Sequence, residues 1–138
     1  MGIPVDVDVV RRRIDEVRWA ISEVLRLVSK EFTELSVDER YAVRYNIIVL
    51  VESLVSLCLH LAFEGFGRRA ASYREAVRVV AERMEVTCIS DLESLVGLRN
   101  LLVHRYWNVE DDKVYRSVKA NFKCVEELLG KVEEAFLG

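Results

Sequence analysis

The stretch "GLRNLLVHRYWN", Gly97 to Asn108, gathers a dense set of reactive side chains around apolar Leu101, Leu102 and Val103. Arg99 offers a planar guanidinium fork that can hold an oxyanion through two parallel hydrogen bonds. His104 offers an imidazole, a group that gains and loses its proton near neutrality and serves as general base or acid. Asn100 adds an amide that donates and accepts. Arg105, Tyr106, Trp107 and Asn108 follow directly. A plainer reading stands beside this one: arginine and histidine in a last helical turn also suit the negative end of the helix dipole.

Spacing sorts these residues. Five positions on a regular helix turn by about 140°, so Arg99 and His104 do not share a face, whereas Asn100 and His104, four apart, do. Leu98, Leu101 and Leu102 take the core side, which leaves Asn100, His104 and Arg99 towards a groove or a partner. Tyr106 and Trp107 arrive as the helix ends. The polar residues therefore gather at a helix–turn junction.

The elements that must position this junction are all helical. The chain has one proline, Pro4, and few glycines, and no run alternates apolar and polar residues with period two. Ser36 with Glu39, Ser72 with Glu75 and Ser90 with Glu93 each match the capping box, which marks three helix starts. The first helix is expected from about Asp8 to Glu31, with Val10, Ile14, Val17, Ile21, Val24, Leu25 and Val28 on its inner side. The second follows Ser36 and stops at "EGFG", where Gly65 and Gly67 end it. A shorter third covers about Tyr73 to Met84, and a fourth begins after Ser90 and carries the junction at its C-terminal end. The last runs from about Asp111 to Phe136, with Val114, Val118, Phe122, Val125, Leu128, Leu129 and Val132 inward. The fold expected is all-α, an antiparallel bundle of four long helices plus a short one, as a single domain over 1–138.

Composition narrows the function. Twenty basic residues oppose 23 acidic ones for a net charge of -3, so no global field draws the chain to nucleic acid or anionic membrane, and an RNA partner needs a local patch. Fifteen Arg against five Lys, with no Gln, fits a thermophile. Cys58, Cys88 and Cys124, odd in number and far apart in apolar surroundings, read as small core residues of a reducing compartment, not as a disulfide or metal site. "MGIPVDVDVVRRR" carries acids and arginines where a signal peptide would be apolar. The most membrane-like run, Ile47 to Phe63, is 17 residues long and holds Glu52 and His60, which suits a buried central helix or one shared with a partner subunit. A cytoplasmic location without membrane attachment is the expectation.

"LRNLLVHRYWNV" resembles the signature of HEPN-domain proteins of the HepT-like toxin branch, R-x-x-x-x-H-x-Y with Asn or Asp after the Arg. Arg99, Asn100, His104 and Tyr106 fill all four positions. The resemblance extends over almost the whole chain, through the apolar second helix, the "SYREAV" opening of the third and "GLRN…VHRYWNVEDDKVY" leading into the last. It implies a HEPN-like fold and a metal-independent endoribonuclease that needs no cofactor and acts as a homodimer, with the motifs of both copies facing one cleft. RNA brings its own nucleophile, the 2′-OH. His104 would shuttle the proton, Arg99 would hold the scissile phosphate, and Asn100 would orient one or the other. The products implied are a 2′,3′-cyclic phosphate and a 5′-OH, from tRNA or mRNA. The resemblance also implies a type VII-like toxin–antitoxin pair. In it an MNT-type (MntA-like) nucleotidyltransferase antitoxin transfers AMP to Tyr106, placing charge and bulk beside His104. The alternative is a non-catalytic HEPN module that dimerises and binds a nucleotidyltransferase or a nucleotide.

Other residues carry weaker signals. Arg105 adds a candidate phosphate contact, and Arg68, Arg69, Arg74 and Arg78 form a basic run suited to tracking RNA. Glu64, Glu75 and Glu82 lie close enough in sequence to turn that run into a salt-bridged surface. Arg11 to Arg13 read as a solvated face, His60 as a hydrogen-bonded core or interface histidine, and Trp19 and Trp107 as packing residues. Glu52, inside an apolar helix, needs a charge partner or a dimer contact.

Overall fold

A computed structural model describes residues 5–118 and 122–138. Pro4, and the middle of the helix expected from Asp111 to Phe136, lie outside the described residues. Among those described, every regular element is helical.

The first element, α1, spans Val7–Leu27, and Asp6 caps it by accepting the Asp8 and Val9 N–H groups. Val10, Ile14, Val17, Ile21, Val24 and Val28 are buried as their spacing predicts, while Leu25 points to solvent instead. The chain then turns through residues 28–36 into α2, Val37–His60, where Ser36 and Glu39 complete the reciprocal capping box. The chain continues through a π-helical turn, Leu61–Gly65, and stops at Gly67, whose φ of 65° lies in the left-handed region that glycine adopts without strain. His60 accepts the Asp6 N–H at 3.1 Å, which ties the end of α2 to the start of α1; it is hydrogen-bonded as expected, but half-buried at the surface and not in the core.

Helices α3 (Tyr73–Arg83), α4 (Ile89–His104), α5 (Asp111–Val118) and α6 (Phe122–Val132) follow. Ser72 accepts the Glu75 N–H, but the Glu75 carboxylate reaches back to Ala71. Ser90 does not cap α4. The helix starts earlier, with Cys88 at the cap position and Ser90 already inside its first turn, and Glu93 is drawn across to Arg78 at 2.6 Å. The predicted inner side of the last segment, Val114, Val118, Phe122, Val125, Leu128, Leu129 and Val132, is buried throughout.

The core runs along α2. It packs most extensively on α1 and also meets α3, α4 and α5, so it needs apolar residues around most of its circumference. Together with its π-helical turn it is long and apolar enough to cross a membrane, yet 61% of its most apolar window lies buried within the fold. Apolar burial on this scale is the principal stabilising term, and Leu50, Leu54, Leu57, Leu92, Leu95, Leu128 and Leu129 supply much of it.

The cysteines depart from the sequence-based expectation. Cys58 is buried and free, and burial pushes its thiol up to about 12. Cys88 and Cys124 instead form a disulfide between the start of α4 and α6, with Cα atoms 5.9 Å apart. A separation of 36 residues gives no local sign of this pairing, which exists only because α4 and α6 pack together. The tryptophans depart too. Trp19 and Trp107 are 56% and 67% exposed, so neither is a core residue of this chain.

Candidate functional site

The junction residues stand at the C-terminal end of α4. The helix stays regular to His104 and ends because Arg105 turns out of it, its N–H still donating to Leu101. A 3-10 turn, Tyr106–Asn108, follows. Regularity up to His104 keeps the predicted offset of about 140° between Arg99 and His104.

Arg99 faces α2, where its Nη2 donates to the Glu52 carboxylate, the charge partner that Glu52 was expected to need. Its Nη1 donates to Asn100 Oδ1 at 3.0 Å, and its guanidinium lies 5.0 Å from the centre of the Tyr73 ring. The Arg99 side chain is 14% exposed and that of Glu52 39%, so the pair sits at the edge of the core with the carboxylate towards solvent. Guanidinium has only donors, so the atom it meets on Asn100 must be the amide oxygen, which leaves the Asn100 NH₂ group to donate elsewhere. The guanidinium is thus held from three sides, by Glu52, by Asn100 and by the Tyr73 ring. Its Nε is buried and has no hydrogen-bond partner among the described residues.

His104 is exposed, and its side chain makes no hydrogen bond among the described residues. Arg105 and Tyr106 are exposed as well, and Tyr106 stands edge-on to Trp107 with ring centres 5.1 Å apart. The exposure of the Tyr106 side chain, 61%, contrasts with the anchoring of its backbone. Arg44 of α2 donates through Nη1 to the Tyr106 carbonyl at 2.9 Å and through Nη2 to the Val109 carbonyl at 3.3 Å. Its Nε meets Asp111 at 2.6 Å. One largely buried arginine therefore fixes the whole turn between α4 and α5. Sequence reasoning missed Arg44, because its partners lie 62 to 67 residues away and no spacing announces them.

Beside the junction lies an open groove of about 480 Å³ between the outer face of α4 and the start of α5, lined by Gly97, Leu98, Leu101, Val109 and Val114 among others. Leu101, expected in the core, is one wall of this groove and is partly exposed.

The basic run of α3 and its approach is only partly free. Arg68 lies 3.9 Å from Glu75, Arg78 pairs with Glu93, and Arg69 covers the Phe63 ring. The Arg78 guanidinium holds the Glu93 carboxyl below its ordinary range. Arg74 has no ion pair among the described residues and lies across α4 at Gly97, where a Cβ would come within 2.6 Å of its Nη2. Glycine there permits the close approach. The structure thus lays Arg74 over α4 at Gly97 and binds Arg68 and Arg78 into a salt-bridged surface. Arg11 and Arg12 are solvated, as expected.

The family described as HepT-like, ribonuclease HepT-like, matches residues 17–132. Among curated proteins there is no match. The tri-AMPylated HEPN toxin of Shewanella oneidensis, solved in complex with MNT antitoxin, superposes with a TM-score of 0.81 at 18% identity, over 92% of this chain and 98% of that one. A toxin–antitoxin crystal structure with AMP-PNP superposes at 0.80, also at 18% identity, over 92% and 98%. The Bacillus subtilis protein YutE, described as a cytosolic protein of unknown function, superposes at 0.74 with 19% identity, over 98% and 92%. At these identities the superpositions establish the shared fold, and the match over 17–132 establishes the family.

Proposed function

The chain belongs to the HepT-like ribonuclease family, and from that membership we propose that it is a metal-independent endoribonuclease, the toxin of a toxin–antitoxin pair acting in the cytoplasm. The observation that carries this reading is the placement of Arg99, Asn100, His104 and Tyr106 at one exposed helix end inside the matched region.

Arg99 grips the scissile phosphate and the charge that develops on it, in the orientation that Glu52, Asn100 and Tyr73 impose. The free NH₂ group of Asn100 donates to the same phosphate. His104 takes the 2′-OH proton, the 2′ oxygen attacks phosphorus, and the 5′ oxygen leaves with a proton from a second imidazole. The products are a 2′,3′-cyclic phosphate and a 5′-OH. One chain turns Arg99 and His104 to different sides of α4, so a homodimer supplies the missing half of the constellation across a shared cleft. Arg74 and Arg105, both exposed and close to the junction, are the best-placed contacts for flanking phosphates.

Control acts on Tyr106. The Shewanella toxin is tri-AMPylated and bound to an MNT antitoxin, and here the Tyr106 hydroxyl is exposed on a turn that Arg44 holds still. A nucleotidyltransferase partner moves AMP from ATP onto the Tyr106 oxygen, pyrophosphate leaves, and a phosphodiester anion then occupies the cleft beside His104.

The test is cleavage of tRNA and mRNA by purified protein in EDTA, wild type against His104→Ala. Loss of cleavage in the variant with cyclic-phosphate ends in the wild type supports the reading. A wild type that leaves every RNA intact supports the non-catalytic module. Incubation with the partner nucleotidyltransferase and ATP, followed by peptide mass spectrometry, tests Tyr106. AMP located on another residue, or nowhere, overturns the switch.

A further inference from the structure

The opposite end of α4 holds a second constellation. Cys88 caps the helix and Asp91 follows three residues later; Cys124 lies on α6 and Glu127 follows three residues later. The two halves repeat one spacing, Cys-x-x-acid, and the fold crosses them. Cys88 Sγ lies 3.5 Å from Glu127 Oε2, and Cys124 Sγ lies 3.4 Å from Asp91 Oδ2. The ligand atoms of Cys88, Asp91 and Cys124 all lie within 4.8 Å of one another. Glu127 is oriented further by the Thr87 N–H at 3.2 Å and the Thr87 hydroxyl.

A disulfide does not call for this arrangement. Its sulfurs carry no proton, so they give a carboxylate oxygen no hydrogen bond. Two thiols or a shared cation would. We propose that Cys88, Asp91, Cys124 and Glu127 form a divalent-metal site for a thiophilic ion of the zinc class. It is available when the disulfide is reduced and closed when it is oxidised.

Cys88, Asp91 and Cys124 supply three ligands already gathered together, and Glu127, 3.5 Å from Cys88, is the nearest fourth for the four-coordinate geometry zinc adopts. Cα atoms 5.9 Å apart let side-chain rotation open the sulfurs to ligand spacing without moving either helix. A dithiol reductant supplies two electrons and two protons to the S–S bond and leaves as its own disulfide. The metal then displaces the two thiol protons as it binds. In either state α4 stays stapled to α6, by a covalent bond under oxidation and by a coordinated ion under reduction. The site lies about 24 Å from His104 along α4 at 1.5 Å per residue, so it is separate from the junction.

The test uses full-length protein in two forms, oxidised and phosphine-reduced, each stripped of metal and titrated with cadmium. The readout is the ultraviolet thiolate-to-metal charge-transfer band. The expected result is a band that saturates at one ion per chain in the reduced form only, is lost in Cys124→Ser, and persists in Cys58→Ser. Asp91→Asn and Glu127→Gln, which keep the thiols and the fold, should each weaken the affinity by at least about tenfold. Zinc should raise the Tm of the reduced protein and leave that of the oxidised protein unchanged. Absence of the band in reduced wild type overturns the proposal, as does a band of equal affinity in both carboxamide variants or one that vanishes with Cys58→Ser.

Discussion

At its N-terminal end α4 is tied to the rest of the chain by a disulfide to α6, an ion pair from Glu93 to α3 and the buried side chains Leu92, Leu95 and Val96. At its C-terminal end, one helix length away, His104, Arg105, Tyr106 and Trp107 stand in solvent, and the support beneath them comes from arginines. Arg99 secures the helix to Glu52 of α2, and Arg44 of α2 secures the turn that follows. One helix thus has an anchored end and a presented end. Stability concentrated at one end frees the other to expose polar groups that would be costly inside a core.

The contrast can be tested by attacking each end. The largest effect is expected at the presented end. His104→Ala should lower RNA cleavage by about 10² to 10⁴-fold, the usual worth of a general acid or base, while stability stays within about 0.5 kcal/mol because the side chain is exposed. A gel assay paired with a thermal melt reads both. Equal losses of activity and stability would erase the distinction between the ends.

At the anchored end, reduction of Cys88–Cys124 in metal-free buffer releases a loop closed over a separation of 36 residues. Chain entropy then predicts a loss of about 4 kcal/mol. Denaturant unfolding with and without a phosphine measures it, and no shift of the midpoint would show that packing alone anchors this end.

Arg44→Ala lies between the two in size. Three hydrogen-bonded contacts disappear, Asp111 loses its partner, and stability should fall by about 1–3 kcal/mol. Faster amide exchange at Asn108 and Val109, with slower modification at Tyr106, would locate the loss at the presented end. Exchange that is unchanged there would deny Arg44 its positioning role.

The smallest effect lies away from both ends and calibrates them. Lys30 first, and then the Ser36 N–H, lower the Glu39 carboxyl from its ordinary 4.5 to about 2. A lowered folded-state pKa means that this stabilisation is complete above about pH 4.5 and disappears as pH falls towards 2. In Glu39→Gln that part of the acid dependence of Tm should vanish. A mutant curve parallel to that of wild type would assign acid sensitivity to other carboxylates.

Much was legible along the chain. The order of the helices, most of the inner face of α1 and that of the last segment, the Ser36 cap, the stop at Gly67 and the gathering of Arg99, Asn100, His104 and Tyr106 at a helix end all follow from signals within a few residues of each other, although α1 ends at Leu27 and not at the expected Glu31. The same short range explains the errors. Ser90 and Glu93 have the spacing of a cap, but α4 already starts at Ile89 with Cys88 at the cap position, and Arg78 takes the Glu93 carboxylate.

The sequence by itself determined that the chain is helical, where each helix keeps its apolar side and which residue types stand together at the junction, because backbone propensity and periodicity are local. Only the tertiary structure decided which arginines are engaged, that Glu52 is the partner of Arg99, that Arg44 holds the turn below Tyr106, and that Cys88 meets Cys124. Those pairings join residues 36 to 67 positions apart, and distances of that kind are set by how helices pack.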